Sequence, residues 1–122
     1  MSDAETLFER IIAREIPADI VYETDDTLAF RDINPQAKTH VLVVPKKRYR
    51  NVAELAAADP RLLAEVVTTA AKVAELEGLT RDGYRVVFNT DEHAGQTVFH
   101  VHAHVLGGEQ LGFFGRYSGQ GG

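Results

Sequence analysis

The stretch TVFHVHAHVLGG, residues 97–108, places three of the chain's five histidines, His100, His102 and His104, at every second position. Phe99, Val101, Ala103 and Val105 alternate with them. Successive side chains of a β-strand point to opposite faces, so the pattern predicts a strand over 97–106 with one apolar and one imidazole face. A slip of one residue would bury the imidazoles and expose the apolar set, so the same pattern sets which side meets the core. Gly107-Gly108 ends the strand with backbone freedom.

Upstream, a loop from Thr90 to Gln96 separates this strand from YRVVFN, residues 84–89, a further strand. Asp59-Pro60 is a helix start, an N-cap followed by proline at the first helical position. From it Leu62, Leu63, Val66, Val67, Ala70, Val73 and Ala74 keep a helical period until Gly78, a C-cap. Asn51 caps a short helical piece through Leu55. HVLVVP, closed by Pro45, reads as a strand. The basic run KKRYR, residues 46–50, reads as a solvated connection. Ile33-Asn34-Pro35-Gln36 is a turn, and IVYET and TLAFRD form a hairpin around Asp25-Asp26. Ser2 and Glu5 match a capping box opening a helix that carries Leu7, Phe8, Ile11 and Ile12 and stops before Pro17. Helix, three strands, helix and two strands with short links predict an α+β fold on an antiparallel sheet.

The 122 residues make one domain, with a glycine-rich tail over 107–122 that holds seven of the ten glycines. That tail is either loosely ordered or docked through Phe113, Phe114 and Tyr117. Eighteen acidic against thirteen basic residues argue against nucleic acid or an anionic membrane as partner, so a phosphate would be held by a local site. No run approaches eighteen apolar residues, and the N-terminus lacks a basic region followed by an apolar stretch, which predicts no membrane span and no secretory signal. With no cysteine there is neither a disulfide scaffold nor a thiolate site, which fits the cytoplasm.

Three alternating imidazoles allow three readings. They can be polar residues on a solvated sheet face, although Thr, Lys or Glu would serve that end better. Neighbouring ones can chelate a metal, but the outer pair lies about 13 Å apart along a flat strand, and His40 and His93 stand in unrelated contexts. Catalysis uses the spacing well. Histidine titrates near neutrality, so one ring can attack phosphorus while others stabilise charge and orient it, splitting a hard displacement into two easier ones.

HVHAHVLGG resembles the His-x-His-x-His signature of the histidine triad nucleotide-binding proteins. EIPADIVYETDDTLAFRDINPQAKTHVLVVPKK, YRVVFN and AGQTVFHVHAHVLGG are similar to the Hint branch of that family, from about Leu7 to Gly108. The resemblance implies a histidine-triad fold with an antiparallel sheet of about five strands, two main helices, and a sheet extended across a homodimer. It makes His102 the nucleophile, has His104 and His40 contact or polarise the phosphate, and has His100 hold His102 in orientation. Asn89, Gln96 and Thr97 would line the phosphate site. Asp32, on residue type alone a turn residue, would take the ribose hydroxyls, since a carboxylate can accept from both. Leu7, Phe8, Ile11, Phe30 and Ile33, otherwise core residues, would make the apolar slot for the base. His93 matches no motif residue and stays a solvated loop histidine.

The activity so implied is hydrolysis of a purine nucleoside phosphoramidate, with a purine nucleoside 5′-monophosphate or phosphoramidate as ligand and no metal or other cofactor. Alternatives on the same fold are a dinucleoside polyphosphate hydrolase or nucleotidyl transferase, and a nucleotide-binding regulatory protein. Two departures stand out. The tail EQLGFFGRYSGQGG lacks the tryptophan and prolines common in the family, and Arg31 stands where histidine is common, beside the ribose carboxylate.

Overall fold

A computed structural model of the protein describes residues 5–113. Its spine is a five-stranded antiparallel sheet in the order β1-β2-β3-β5-β4, formed by β1 (Ile20–Glu23), β2 (Thr27–Arg31), β3 (Thr39–Pro45), β4 (Tyr84–Phe88) and β5 (Ala103–Gly107). The hairpin over Asp25-Asp26 and the strand closed by Pro45 lie where the sequence places them.

The described residues form three α-helices, α1 (Leu7–Ile12), α2 (Val52–Ala58) and α3 (Pro60–Leu76). Asn51 caps α2 by accepting from the Glu54 amide, and Asp59 caps α3 by accepting from the Leu62 amide, with Pro60 at the first helical position. Val66, Ala70, Val73 and Ala74 of α3 lie against Ala29, Val41, Val43, Ala103 and Val105 of the sheet. Fully burying one such valine side chain is worth about 1.5–3 kcal/mol. On the opposite face Phe8 and Ile11 of α1 cover Leu28, Phe30, Leu42 and Val44. The sheet is therefore a wall between two cores, and its period-2 alternation decides which residue belongs to which.

Helix α1 starts later than expected. Ser2 lies outside the described residues, and Glu5 precedes the helix. Thr6 and Glu9 make the capping box instead: the Glu9 amide donates to Thr6 Oγ1 at 3.2 Å, and the Thr6 amide donates to Glu9 Oε1 at 2.8 Å. Both pairs match the motif, but only the second sets the cap directly before the apolar run.

The predicted strand over 97–106 is cut in half. Pairing with β3 ends at Val43↔Ala103 and pairing with β4 at Phe88↔Ala103, so Thr97 to His102 lies off the ladder. Continued pairing would bring Val101 level with Pro45, which has no amide hydrogen to give. The Val101 amide donates instead to the Tyr49 carbonyl at 2.7 Å. Tyr49 is thus buried, and the KKRYR run is a clasp as much as a connection. Lys46 pairs with Glu23 at 2.7 Å, Arg48 donates to the Phe99 carbonyl and Glu9, and Arg50 stacks over the Phe99 ring at 4.2 Å.

At the far end of β5 the two glycines are needed. A Cβ on Gly107 would stand 3.0 Å from a Leu79 methyl, and Gly108 has φ +86°. Of the tail, Phe113 is exposed, and Phe114 and Tyr117 lie outside the described residues.

Candidate active site

Sheet register gathers the histidines on the α1 face. His40 pairs across Leu106 and Leu42 across His104, so His40 and His104 are diagonal neighbours on one face. His40, isolated by local pattern but set at the phosphate by the family resemblance, joins the row: its Nε2 lies 2.8 Å from His104 Nδ1. The His102 ring centre lies 5.0 Å from that of His104 and 4.9 Å from that of Phe8, which meets it edge-on at 86°. His100 is wholly buried, 6.1 Å from Phe8 between ring centres. The strand does not extend to His100 and His102, yet these rings reach the same site from the bent segment before β5.

Backbone carbonyls assign two of the ring tautomers. A carbonyl oxygen only accepts, so the nitrogen facing it carries the proton. His102 Nδ1 donates to the His100 carbonyl at 2.8 Å, which leaves the lone pair on His102 Nε2. His100 Nε2 donates to the Pro45 carbonyl at 2.7 Å. His100 thus orients His102 through its main-chain oxygen.

Burial keeps all four rings neutral. Desolvation pushes the pKa of His100 and His102 down against weaker upward pulls, in His102 from its bond to the His100 carbonyl and then from Asp32. It lowers His104 to about 3, with His102 and His40 adding to the fall. His40 has Asp32 Oδ2 3.4 Å from its Nε2, which favours the charged form, but burial outweighs that pull and the contact is not an ion pair.

Three buried side-chain atoms among the described residues have no hydrogen-bond partner: Asn89 Nδ2, His104 Nε2 and His100 Nδ1. Asn89 directly follows Phe88, the last residue of β4, whose partner across the ladder is Ala103. Buried polar atoms left unpaired in a folded protein call for an explanation, and an anionic ligand supplies one for Asn89 Nδ2 and His104 Nε2, though not for His100 Nδ1, an acceptor since its ring donates from Nε2.

The expected base slot divides into floor and rim. Phe8, Ile11 and Phe30 are buried, with Phe8 and Phe30 in edge contact at 5.5 Å, whereas Leu7 is half-exposed and Ile33 is 92% exposed. Asp32 has both roles open: Oδ1 accepts from the Asn34 amide at 2.8 Å as a turn residue does, while Oδ2 faces His40. Arg31 turns away from this carboxylate; its guanidinium forks onto Glu77 at 2.7 and 3.0 Å and meets Asp19 at 3.3 Å. An alternating strand sends residues 31 and 32 to opposite sides.

Gln96 is buried and its amide is fully used. Its Oε1 accepts from the Asp91 amide at 2.8 Å, and its Nε2 donates to the carbonyls of Arg50 and Val98 at 2.8 and 3.1 Å. It pins the loop before the histidines, in which Asp91 holds φ 65° and ψ −172°, a conformation costly for any residue but glycine. Thr97 is exposed at the end of that loop, and His93 is exposed within it. No pattern of residue types marks the other working parts, the carbonyls of Pro45 and His100 and the amide of Gln36, because every residue has them.

Asp32, His40 and His104 bring ligand-type atoms within 4.8 Å of one another, so a cation deserves a test. The Gln36 amide points at His40 Nδ1 from 3.0 Å, and an amide only donates. Neutral His40 therefore keeps its proton on Nε2, the nitrogen that would have to bind the cation. The donor set does not fit.

An antiparallel five-stranded sheet that sets a chain of buried imidazoles beside an uncommitted histidine nitrogen is the architecture of a histidine-triad domain. The HIT domain profile matches residues 13–111, and the chain belongs to the histidine triad family. It is 51% identical over 108 residues to purine nucleoside phosphoramidase from Escherichia coli (strain K12), covering 88% of this chain and 91% of that protein. It is 46% identical over 114 residues to the 14 kDa zinc-binding protein of Zea mays, covering 91% and 88%. Among solved structures, a HIT family hydrolase from Legionella pneumophila superposes with TM-score 0.86 at 45% identity over 90% of this chain and 98% of that one.

Proposed function

We propose that the protein hydrolyses the phosphorus–nitrogen bond of purine nucleoside 5′-phosphoramidates. The observation that carries this reading is His102 Nε2, left with its lone pair by the bond from Nδ1 to the His100 carbonyl, in a protein that also keeps the buried donors Asn89 Nδ2 and His104 Nε2 unpartnered. A half-identical relative that is a purine nucleoside phosphoramidase supplies the substrate class.

His102 Nε2 attacks the α-phosphorus and the phosphorus–nitrogen bond breaks. The amine leaves with the bonding pair and takes a proton from solvent. Water then attacks phosphorus, losing a proton, and His102 departs with its lone pair restored, giving the nucleoside monophosphate. Asn89 Nδ2 and His104 Nε2 meet the phosphoryl oxygens, and such donors act strongly because the site is dry. Thr97, at the loop end, serves the leaving-group side. Asp32 holds the ribose hydroxyls, and Leu7 and Ile33 close over the base above Phe8, Ile11 and Phe30. The reaction asks for no metal. The zinc named for the maize relative finds a poor host here because His40 Nε2 is protonated.

The working unit is a homodimer. Strand β4 is a sheet edge, and Tyr84, Val86 and Val67 are large apolar side chains exposed beside it or on α3; a second copy pairing along that edge covers both liabilities. No helix among the described residues is long and apolar enough to cross a membrane, and a chain without cysteine suits the cytoplasm.

Intermediate trapping tests the reading. Protein mixed with phosphorus-labelled adenosine 5′-phosphoramidate and quenched within milliseconds should carry label on His102. Label on another residue, or turnover with no adduct at any time, overturns the mechanism.

A further inference from the structure

His40 is buried, and neither of its ring nitrogens is free for a substrate. Nδ1 accepts from the Gln36 amide at 3.0 Å, and Nε2 lies 2.8 Å from His104 Nδ1 and 3.4 Å from Asp32 Oδ2. The resemblance would have it touch phosphate, but its neighbours already use both nitrogens. It must act through them or only fill space.

We propose that His40 is a positioning residue that sets the tautomer of His104 and ties the phosphate donor to the sugar-binding carboxylate of Asp32. The argument starts at a backbone amide. Gln36 N–H only donates, so His40 Nδ1 is the acceptor and the ring's proton sits on Nε2. That N–H donates to His104 Nδ1, so the His104 proton sits on its own Nε2, the buried atom with no partner. The site thus presents an uncharged N–H to phosphate without depending on protonation of His104. The opposite tautomer would aim a lone pair at the phosphoryl oxygens and repel them.

The same His40 proton has two acceptors, His104 Nδ1 and, at the longer distance, Asp32 Oδ2. This step rests on the phosphoramidase reading, in which ribose hydroxyls donate to Asp32. Once they do, the carboxylate competes less for the His40 proton, and the bond to His104 tightens. Chains of hydrogen bonds polarise one another, so His104 Nε2–H becomes the stronger donor when the sugar is seated. Ribose recognition then contributes to kcat and not to KM alone.

Two measurements test this. Long-range proton–nitrogen NMR of the ligand-free protein at pH 7.5 should show His40 and His104 as neutral Nε2–H tautomers and His102 as Nδ1–H. A neutral His40 carrying its proton on Nδ1 overturns the proposal whatever the substrate proves to be. In kinetics with an adenosine 5′-phosphoramidate, His40→Asn keeps an oxygen near the Gln36 amide but offers His104 no donor. Its kcat should fall about 10- to 100-fold with KM nearly unchanged, the usual scale for losing a group that orients a site residue. His40→Gln, which sets an amide nitrogen near the lost Nε2, should recover most of that loss.

The 2′,3′-dideoxy analogue should cost the unaltered protein more in kcat than it costs His40→Asn. Equal losses in the Asn and Gln variants, or equal dideoxy penalties in the unaltered protein and His40→Asn, would leave His40 as mere filling and sink the idea. If the unaltered protein leaves the conjugate intact, the phosphoramidase reading and the ribose coupling fall together. The NMR result then decides the tautomer chain by itself.

Discussion

The two faces of the sheet solve opposite problems with the same strands. Toward α3, Ala29, Val41, Val43, Ala103 and Val105 share one buried hydrophobic cluster with Val66, Ala70, Val73 and Ala74. The polar exception there, Thr27, is fully occupied: its Oγ1 lies 2.8 Å from Thr69 Oγ1 and 2.7 Å from Thr24 Oγ1. On the α1 side four histidines are buried, and that side holds all three unpartnered side-chain atoms found among the described residues. One face is finished, and the other is left open at a cost in stability, of which a bound anion would offset the part due to the donors Asn89 Nδ2 and His104 Nε2. Residue by residue the faces differ by a shift of one along β5, from Ala103 to His104.

If that division holds, substitutions on the two sides should move different quantities. The largest effect belongs to His102→Ala, which removes the nitrogen proposed to attack phosphorus. Turnover of an adenosine phosphoramidate should fall on the order of 10⁴-fold or more, with cooperative unfolding retained. Its counterpart is Val66→Ala on α3, which opens a cavity in the finished core. Urea unfolding should show a loss of about 2 kcal/mol while kcat/KM stays level. A Val66→Ala protein that keeps its stability but loses turnover would break the comparison.

The open face should also make stability depend on pH. Buried imidazoles have folded-state pKa values below the ordinary 6.5, so between the two values the unfolded chain binds more protons than the native one. The stability due to neutral burial is whole above pH 6.5 and drains as pH falls toward the folded value, about 3 for His104. Going from pH 7 to pH 5 should cost about 2 kcal/mol from His104 alone, and His40, His100 and His102 shift in the same direction. Urea midpoints at the two pH values measure it, and His104→Gln should flatten the difference. A flat profile in the unaltered protein would mean that these rings are solvated, not buried.

Much of the finished face could be read directly from residue types. The period of Val66, Ala70 and Val73, the Asp59-Pro60 start and the run closed by Pro45 are side-chain signals, and the elements lie where those signals put them. The open face was harder, since main-chain atoms build much of it. The missing amide of Pro45 and the Val101 amide turned onto Tyr49 stop β5 short, although alternation continues to Phe99. The partnership of His40 with His104 spans 64 residues and depends on strand register, which no local pattern encodes. Family resemblance brought His40 forward, but as a phosphate contact. Its hydrogen bond from the Gln36 amide comes from the fold alone.

The smallest expected effect probes the polar pair on the finished side. Thr69→Val keeps the shape of the side chain and removes one hydroxyl, while Thr27 keeps Thr24 as its partner. With no buried polar atom stranded, the cost should be that of one ordinary hydrogen bond, about 1 kcal/mol by urea unfolding. Turnover should not change, because Thr69 faces α3's own core and the proposed reacting groups lie across the sheet. Thr27→Val removes the shared hydroxyl from both partners and should cost more. If instead Thr69→Val slowed hydrolysis several-fold at unchanged stability, strain would be passing through β2 to Phe30 and the base slot. The sheet would then be a coupling element and not a partition between the two cores.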